Sequence, residues 1–142
     1  MAHAMAGAGG DMACLLPAAD VTAEALLAAG GYAFVCPENL GSMSGVMKDM
    51  FDRCYYQLLG RVEGRAYATA IAAGSDGRGA QGQIDRIVTG WRLRRVAEPL
   101  IINLGAQTAE QIAAPKVLGA AGMQSCRDLG SALAEGLRLG LF

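Results

Sequence analysis

Two glycine-punctuated loops, Pro37–Gly45 (PENLGSMSG) and Gly74–Gly79 (GSDGRG), carry the residue types best suited to chemistry in this chain. Glycine lets the backbone approach a flat or anionic ligand closely, while Ser, Asn and free N–H groups donate to carbonyl oxygens or phosphate. Each loop alone also reads as an ordinary turn. Other chemistries lack their parts. With one His (His3) and four cysteines at 14, 36, 54 and 126, in no metal-like spacing, no zinc site or His-dependent triad can be assembled, and no metal is expected. Cys14, Cys36 and Cys54 sit in apolar runs and read as small buried hydrophobes in a reducing compartment.

The remaining candidates have plainer explanations. Asp49 and Asp52 lie close together on one helix face, where pairing with Arg53 or Lys48 accounts for them. Arg86, Arg92, Arg94 and Arg95 could grip a phosphate, but also read as a solvated helix end. Trp91 follows Gly90 and reads as a helix-end anchor on the core. Met47 and Met50 read as core, whereas Met43, in the first loop, is placed to touch a ligand.

The elements around the loops alternate. The opening MAHAMAGAGGD reads as the tail of an alanine-rich helix, and Met12–Leu16 as a short buried strand stopped by Pro17. Thr22 caps a brief helix, and Tyr32–Cys36 (YAFVC) is a continuous apolar run suited to a parallel strand buried on both faces. After the first loop, Ser44 begins a helix whose Met47, Met50, Phe51, Cys54, Tyr55, Leu58 and Leu59 follow helical spacing. Ala66–Ala73 reads as a third strand, Ala80–Thr89 as a helix, Pro99–Leu104 as a fourth strand, and Ser125–Leu139 as the closing helix. Strand–helix alternation of this kind builds a doubly wound parallel sheet, whose ligands sit beyond the carboxyl ends of the strands. Both loops follow strands and occupy that position.

Composition agrees with one α/β domain spanning 1–142. The chain is 53% hydrophobic and 18% charged, with mean hydropathy +0.29, which excludes disorder. A net charge of −1 gives no pull toward nucleic acid or anionic membrane. No Lys or Arg precedes Lys48, so no secretory n-region is present, and Ala25–Pro37 is too short and glycine-broken to span a bilayer. A cytoplasmic protein without a nucleic-acid or membrane partner is expected.

The segment CPENLGSMSGVMKDMFDR, with a strand before it and an amphipathic helix after, resembles the third βα unit of flavodoxin-like FMN proteins. The NAD(P)H-dependent FMN reductase and quinone reductase branch has similar patterns. AIAAGSDGRGAQ is similar to that branch's next loop, and CRDLGSALAEGLRLGLF to its C-terminal helix, so the resemblance runs over residues 10–142.

The resemblance implies a three-layer flavodoxin-like parallel sheet of order 2-1-3-4-5 and an FMN-binding oxidoreductase driven by NADH or NADPH. Its electron acceptor would be a small molecule such as a quinone or flavin. A non-enzymatic electron-transfer flavodoxin, or an apo fragment without FMN, are the alternatives. Pro37, Glu38, Asn39, Leu40, Gly41, Ser42 and Met43 would line the isoalloxazine edge, and Gly74, Ser75, Asp76, Gly77 and Arg78 its pyrimidine end. No catalytic side chain is implied, since the flavin carries the hydride chemistry. Members of the branch begin with a strand and a Ser/Thr/Gly-rich phosphate loop, whereas this chain begins where their first helix ends. The expectation is therefore an N-terminally incomplete domain lacking strand 1, with weak FMN binding and a tendency to form homo-oligomers.

Overall fold

The computed structural model covers residues 1–142 and shows an α/β chain with a mostly parallel five-stranded sheet. Helix α1 (Ala2–Gly9) leads through a 3-10 turn, an extended segment and a second 3-10 turn (Ala18–Asp20) to α2 (Ala23–Ala28). Then come β1 (Gly31–Asn39), β2 (Ser42–Met43), α3 (Gly45–Leu58), β3 (Ala66–Ala73), α4 (Arg78–Gly90), β4 (Arg94–Arg95), β5 (Leu100–Asn103), α5 (Ala109–Ala113) and α6 (Ala120–Arg138). No helix is long and apolar enough to cross a membrane.

β3 is the centre of the sheet. β1 runs parallel to it on one side, from Gly31 opposite Ala66 to Pro37 opposite Ala72. On its other side β4 pairs with Ala66 and Tyr67, and β5 with Ala70–Ala73, both parallel. β4 and β5 are therefore two pieces of one edge, broken at Val96–Pro99, where Pro99 has no N–H to give a ladder. Being covered on both faces, β3 can be almost wholly apolar, and AYATAIAA is.

The two faces are filled unequally. Tyr32, Phe34, Cys36, Tyr67 and Ile71 join α2, α3 and α4 in a core of 19 buried residues. Within it Trp91 is fully buried, stacks on Tyr55, tilts against Phe51 and donates its indole N–H to the Tyr55 carbonyl at 3.0 Å. The other face is thin. Ala66, Ala68 and Ala70 present only methyl groups to α6, where Cys126 and Leu133 meet them, with Met5 of α1. α1 comes close to α6 because Gly130 has no Cβ; one would collide with the Met5 carbonyl.

Several expectations change. Met12–Leu16 forms no strand: it is a 3-10 turn and extended chain that leaves Met12, Leu15 and Leu16 exposed, because no strand lies beside it to pair. Cys14 lies on this segment and is exposed, whereas Cys36, Cys54 and Cys126 are buried, and all four are free thiols. The expected first loop is largely a hairpin, since β1 continues through Asn39 and turns back antiparallel into β2. Strand pairing spans three parallel positions, so neither strand 1 nor strand 2 of a 2-1-3-4-5 order is present among these residues.

Candidate functional site

The carboxyl ends of β1, β3 and β5 converge at one end of the sheet, and the residues that follow them make its rim. A cavity of about 290 Å³ opens there, lined among others by Val35, Cys36, Pro37, Ala72, Leu104 and Lys116. A second of about 210 Å³ adjoins it and shares Leu104 and Lys116. The volumes sit at or just below the small end of small-molecule sites, and the first is mainly apolar. Met1 and Ala2 of α1 also line the first cavity, and Lys116 is its one charged side chain, the ammonium donating to the carbonyls of Gln111, Ile112 and Ala114 at 2.6–2.8 Å. Ala72, Leu104, Lys116 and Leu118 were not foreseen from sequence; they come from elements distant in the chain and carry no local signal.

The hairpin and the second loop are fastened together. From the end of β1, Glu38 accepts hydrogen bonds from the backbone N–H of Gly77 (2.8 Å) and of Ala80 (3.0 Å), at the start of α4. A carboxylate there also meets the positive end of the helix dipole. Gln83, a second unforeseen residue, accepts from the Met43 N–H at 2.9 Å and locks β2 onto α4. Gly79 sits so close to the Gly41 carbonyl that a Cβ would overlap it. Asn103, also unforeseen, donates to the Ser75 carbonyl and accepts from Gly105 N–H at 2.8 Å, tying the second loop to the end of β5.

These contacts sort the expected site residues. Pro37 lines the cavity, and Asn39 and Leu40 project from the hairpin tip without a hydrogen-bond or packing partner. Glu38 is turned to α4. Met43 is buried in the main core, because pairing of Ser42–Met43 with β1 swings its side chain inward. Ser42 donates to the Met43 carbonyl at 3.1 Å, and Gly41 abuts α4. In the second loop Gly74 is half-buried, Gly77 is held by Glu38, and Arg78 pairs with Asp76 at 2.6 Å in the open. Pro37–Gly41 and Gly74–Arg78 are thus on one rim, but with part of their polar capacity already spent.

Leu40 stands out energetically. With Gly41 it forms a two-residue hairpin turn in which both φ angles are positive, +53° and +73°. Asn, Asp or Gly usually occupies the first of these positions. A branched apolar residue there is held at a cost of about 1–2 kcal/mol, and its side chain is wholly exposed. Strain of this kind at an exposed tip is typical of ligand-contact positions.

Nothing at the rim is poised as an acid, base or nucleophile. Burial pushes the Cys36 thiol above its ordinary range, and the nearby Glu38 carboxylate adds to this against the opposing Ser44 N–H. The other polar cluster, Tyr67, Asp85, Arg95 and Gln81, lies between α4 and the β3–β4 side of the sheet. Asp85 accepts from Tyr67 at 3.1 Å and Gln81 at 2.8 Å and pairs with Arg95. This reads as a structural brace. Lys48–Asp52 and Arg53–Asp49 pair along α3, and Arg92 pairs with Glu63. No cluster of His, Cys, Asp and Glu could hold a metal ion.

The arrangement of a central parallel strand, flanking parallel strands, helices on both faces and loops gathered at the carboxyl ends defines the flavodoxin-like fold. Comparison with solved structures supports it. The chain is similar to a flavodoxin from the domain Archaea, with 17% identity and TM-score 0.70 over 96% of this chain and 90% of that one. It is also similar to a flavodoxin, WrbA-like protein from Agrobacterium tumefaciens (16%, TM-score 0.62, 97% and 90%). An NADPH-quinone reductase from P. pentosaceus follows, at 15% identity and TM-score 0.56 over 84% and 77%. No family model matches the sequence, and no curated protein matches it.

Proposed function

We propose that this chain binds the isoalloxazine ring of FMN at the rim formed by Pro37–Met43 and Gly74–Arg78, and works as an NAD(P)H-dependent flavin or quinone reductase. The observation that carries the reading is the Glu38 clamp, which holds the two loops as one surface beside an apolar cavity. A flat, amphipathic ring suits that surface: an apolar floor, an exposed Leu40 to pack on a ring face, and the free Asn39 amide for a ring-edge carbonyl. The similar solved structures include a flavodoxin and a quinone reductase, which agrees with a flavin ligand.

When bound, the flavin would supply the two-electron transfer from NADH or NADPH to a small acceptor such as a quinone or second flavin. The chain's own part is positional. Asn39 orients the ring edge, Leu40 excludes water from one face, and the half-buried Gly74 and loop backbone frame the pyrimidine end. Glu38, Gln83 and Asn103 keep these groups in register. The first turn of α4 does not serve as a phosphate pocket, because Glu38 already fills two of its N–H groups. Lys116 is the side-chain cation available to an anionic tail. Three buried free thiols suit a reducing cytoplasm, where we place the protein.

Turnover tests the reading. With FMN supplied in excess, the chain should accelerate NADPH or NADH oxidation by a quinone above the rate of free FMN, and Glu38→Ala should remove the acceleration. Flavin binding without acceleration would favour the electron-transfer reading instead.

A further inference from the structure

One element beside the rim leans on almost nothing. Helix α5 (Ala109–Ala113) buries no residue and packs broadly on no other helix or strand. It belongs to an arm, Gln107–Val117, every residue of which is exposed. A helix of five residues cannot persist in water on its backbone bonds alone. This one is braced from within. Thr108 and Gln111 cap its start reciprocally, and Lys116 spends its three protons on the carbonyls of Gln111, Ile112 and Ala114 at its end. Every hydrogen bond of Gln107–Val117 is made inside the arm.

The arm joins the body at two points. Ala106 donates its N–H to the Gly74 carbonyl at 2.9 Å, and Leu118 packs beside Met5 and Cys126. A braced segment held only at its ends can swing about the line between them. The space to swing is present: the cavity of about 210 Å³ separates Gln111, Ala114 and Val117 of the arm from Leu104–Ala106. The sheet order sets β3 between β1 and β5, so Leu40 and the arm flank the Gly74–Arg78 loop from opposite sides. Leu40 is wholly exposed on the one side, and Ile112 is 64% exposed on the other.

We propose that Gln107–Val117 is a lid that swings about Ala106 and Leu118 and closes Ile112 onto the flavin ring, on the face opposite Leu40. The lid rests on the flavin reading given above and adds to it the means by which the ring is retained. Closure gives α5 the packing that a helix this short requires, and covers the apolar side chain it now leaves in water. It also carries the Lys116 ammonium, which lines both cavities, along with the arm toward an anionic tail.

Amide hydrogen exchange on the full chain, with and without saturating FMN, tests the lid. The Ile112 and Ala114 amides, bonded to the Thr108 and Glu110 carbonyls, should slow by about tenfold or more with FMN. The rim amides of Gly77 and Ala80 should slow as well. Slowing at the rim with no change in the arm overturns the lid and leaves the flavin reading standing. No change in either region overturns both. Stopped-flow release then tests the contact itself. Ile112→Ser alters an exposed position and should keep the circular dichroism spectrum, yet release FMN about tenfold faster. Ile112→Leu, which keeps the apolar bulk, should release it at the parent rate. Equal release rates for the Ser and Leu variants overturn the lid.

Discussion

The face of the sheet that carries α3 and α4 buries 19 residues in one core, whereas the face that carries α1 and α6 holds two clusters of three. Aromatic rings supply the first: Phe34 lies 5.2 Å from Phe51 and 5.8 Å from Tyr32 between ring centroids, and Phe51 leads on to Trp91. The second rests on alanines of β3 meeting one helix. The difference teaches where the fold's stability resides. α3, α4 and the Glu38 contacts that fasten the two loops stand on the dense face, whereas the adjoining cavity opens on the thin side, against Met1 and Ala2 of α1.

The largest expected effect contrasts two leucines. Leu58 is fully buried in the dense core, and Leu133 touches β3 from the thin side. Leu58→Ala should cost about 4–5 kcal/mol and Leu133→Ala about 2–3 kcal/mol, following the range for cavity-forming substitutions. Urea unfolding measures both, and equal losses would break the comparison. Next comes Gly130→Ala, whose methyl group collides with the Met5 carbonyl and should cost about 1–3 kcal/mol. The loss should be local: amide exchange should quicken through Ala2–Gly9 and stay unchanged in Gly45–Leu58.

Glu38→Ala sharpens the account at the rim. It leaves the Gly77 and Ala80 N–H groups without their acceptor and should cost about 1–2 kcal/mol. Flavin binding should fall further than stability does, because two loops are released at once. The smallest effect has the opposite sign. Leu40→Asn suits the two-residue turn and should stabilise the chain by about 0.5–1 kcal/mol, while weakening binding of an aromatic ring. Thermal melts and ring titration on the same sample separate the two.

Much of the scaffold was legible because local and tertiary signals agreed. Ala66–Ala73 is the strand expected, since an uncharged apolar run of eight can be satisfied only between two layers. The helix after Ser44 follows its apolar spacing to Leu58. Reading failed where a neighbour decides the outcome. Met12–Leu16 is apolar enough for a strand but has no partner. The β1–β2 hairpin was hidden because Leu40 stands where a turn-forming Asn or Gly would have announced it. Arg94 and Arg95 read as a solvated basic cluster and are also an edge strand. Gln83, Asn103 and Lys116, the polar residues that fasten or fringe the rim, act across 28 or more residues or through the cavity wall, beyond the reach of spacing. The two loops themselves were found by composition, whereas the Glu38 clamp required the fold.

The most direct test of the central claim is a paired titration of FMN and lumiflavin, which has the ring without the ribityl phosphate, followed by flavin fluorescence. The rim offers ring contacts, and the α4 N-terminus is occupied by Glu38. Both ligands should therefore bind saturably and weakly, with affinities within about tenfold, or ~1.4 kcal/mol, of each other, and Glu38→Ala should abolish both. Absence of saturable binding by either ligand, or FMN binding orders of magnitude tighter than lumiflavin, would contradict the account.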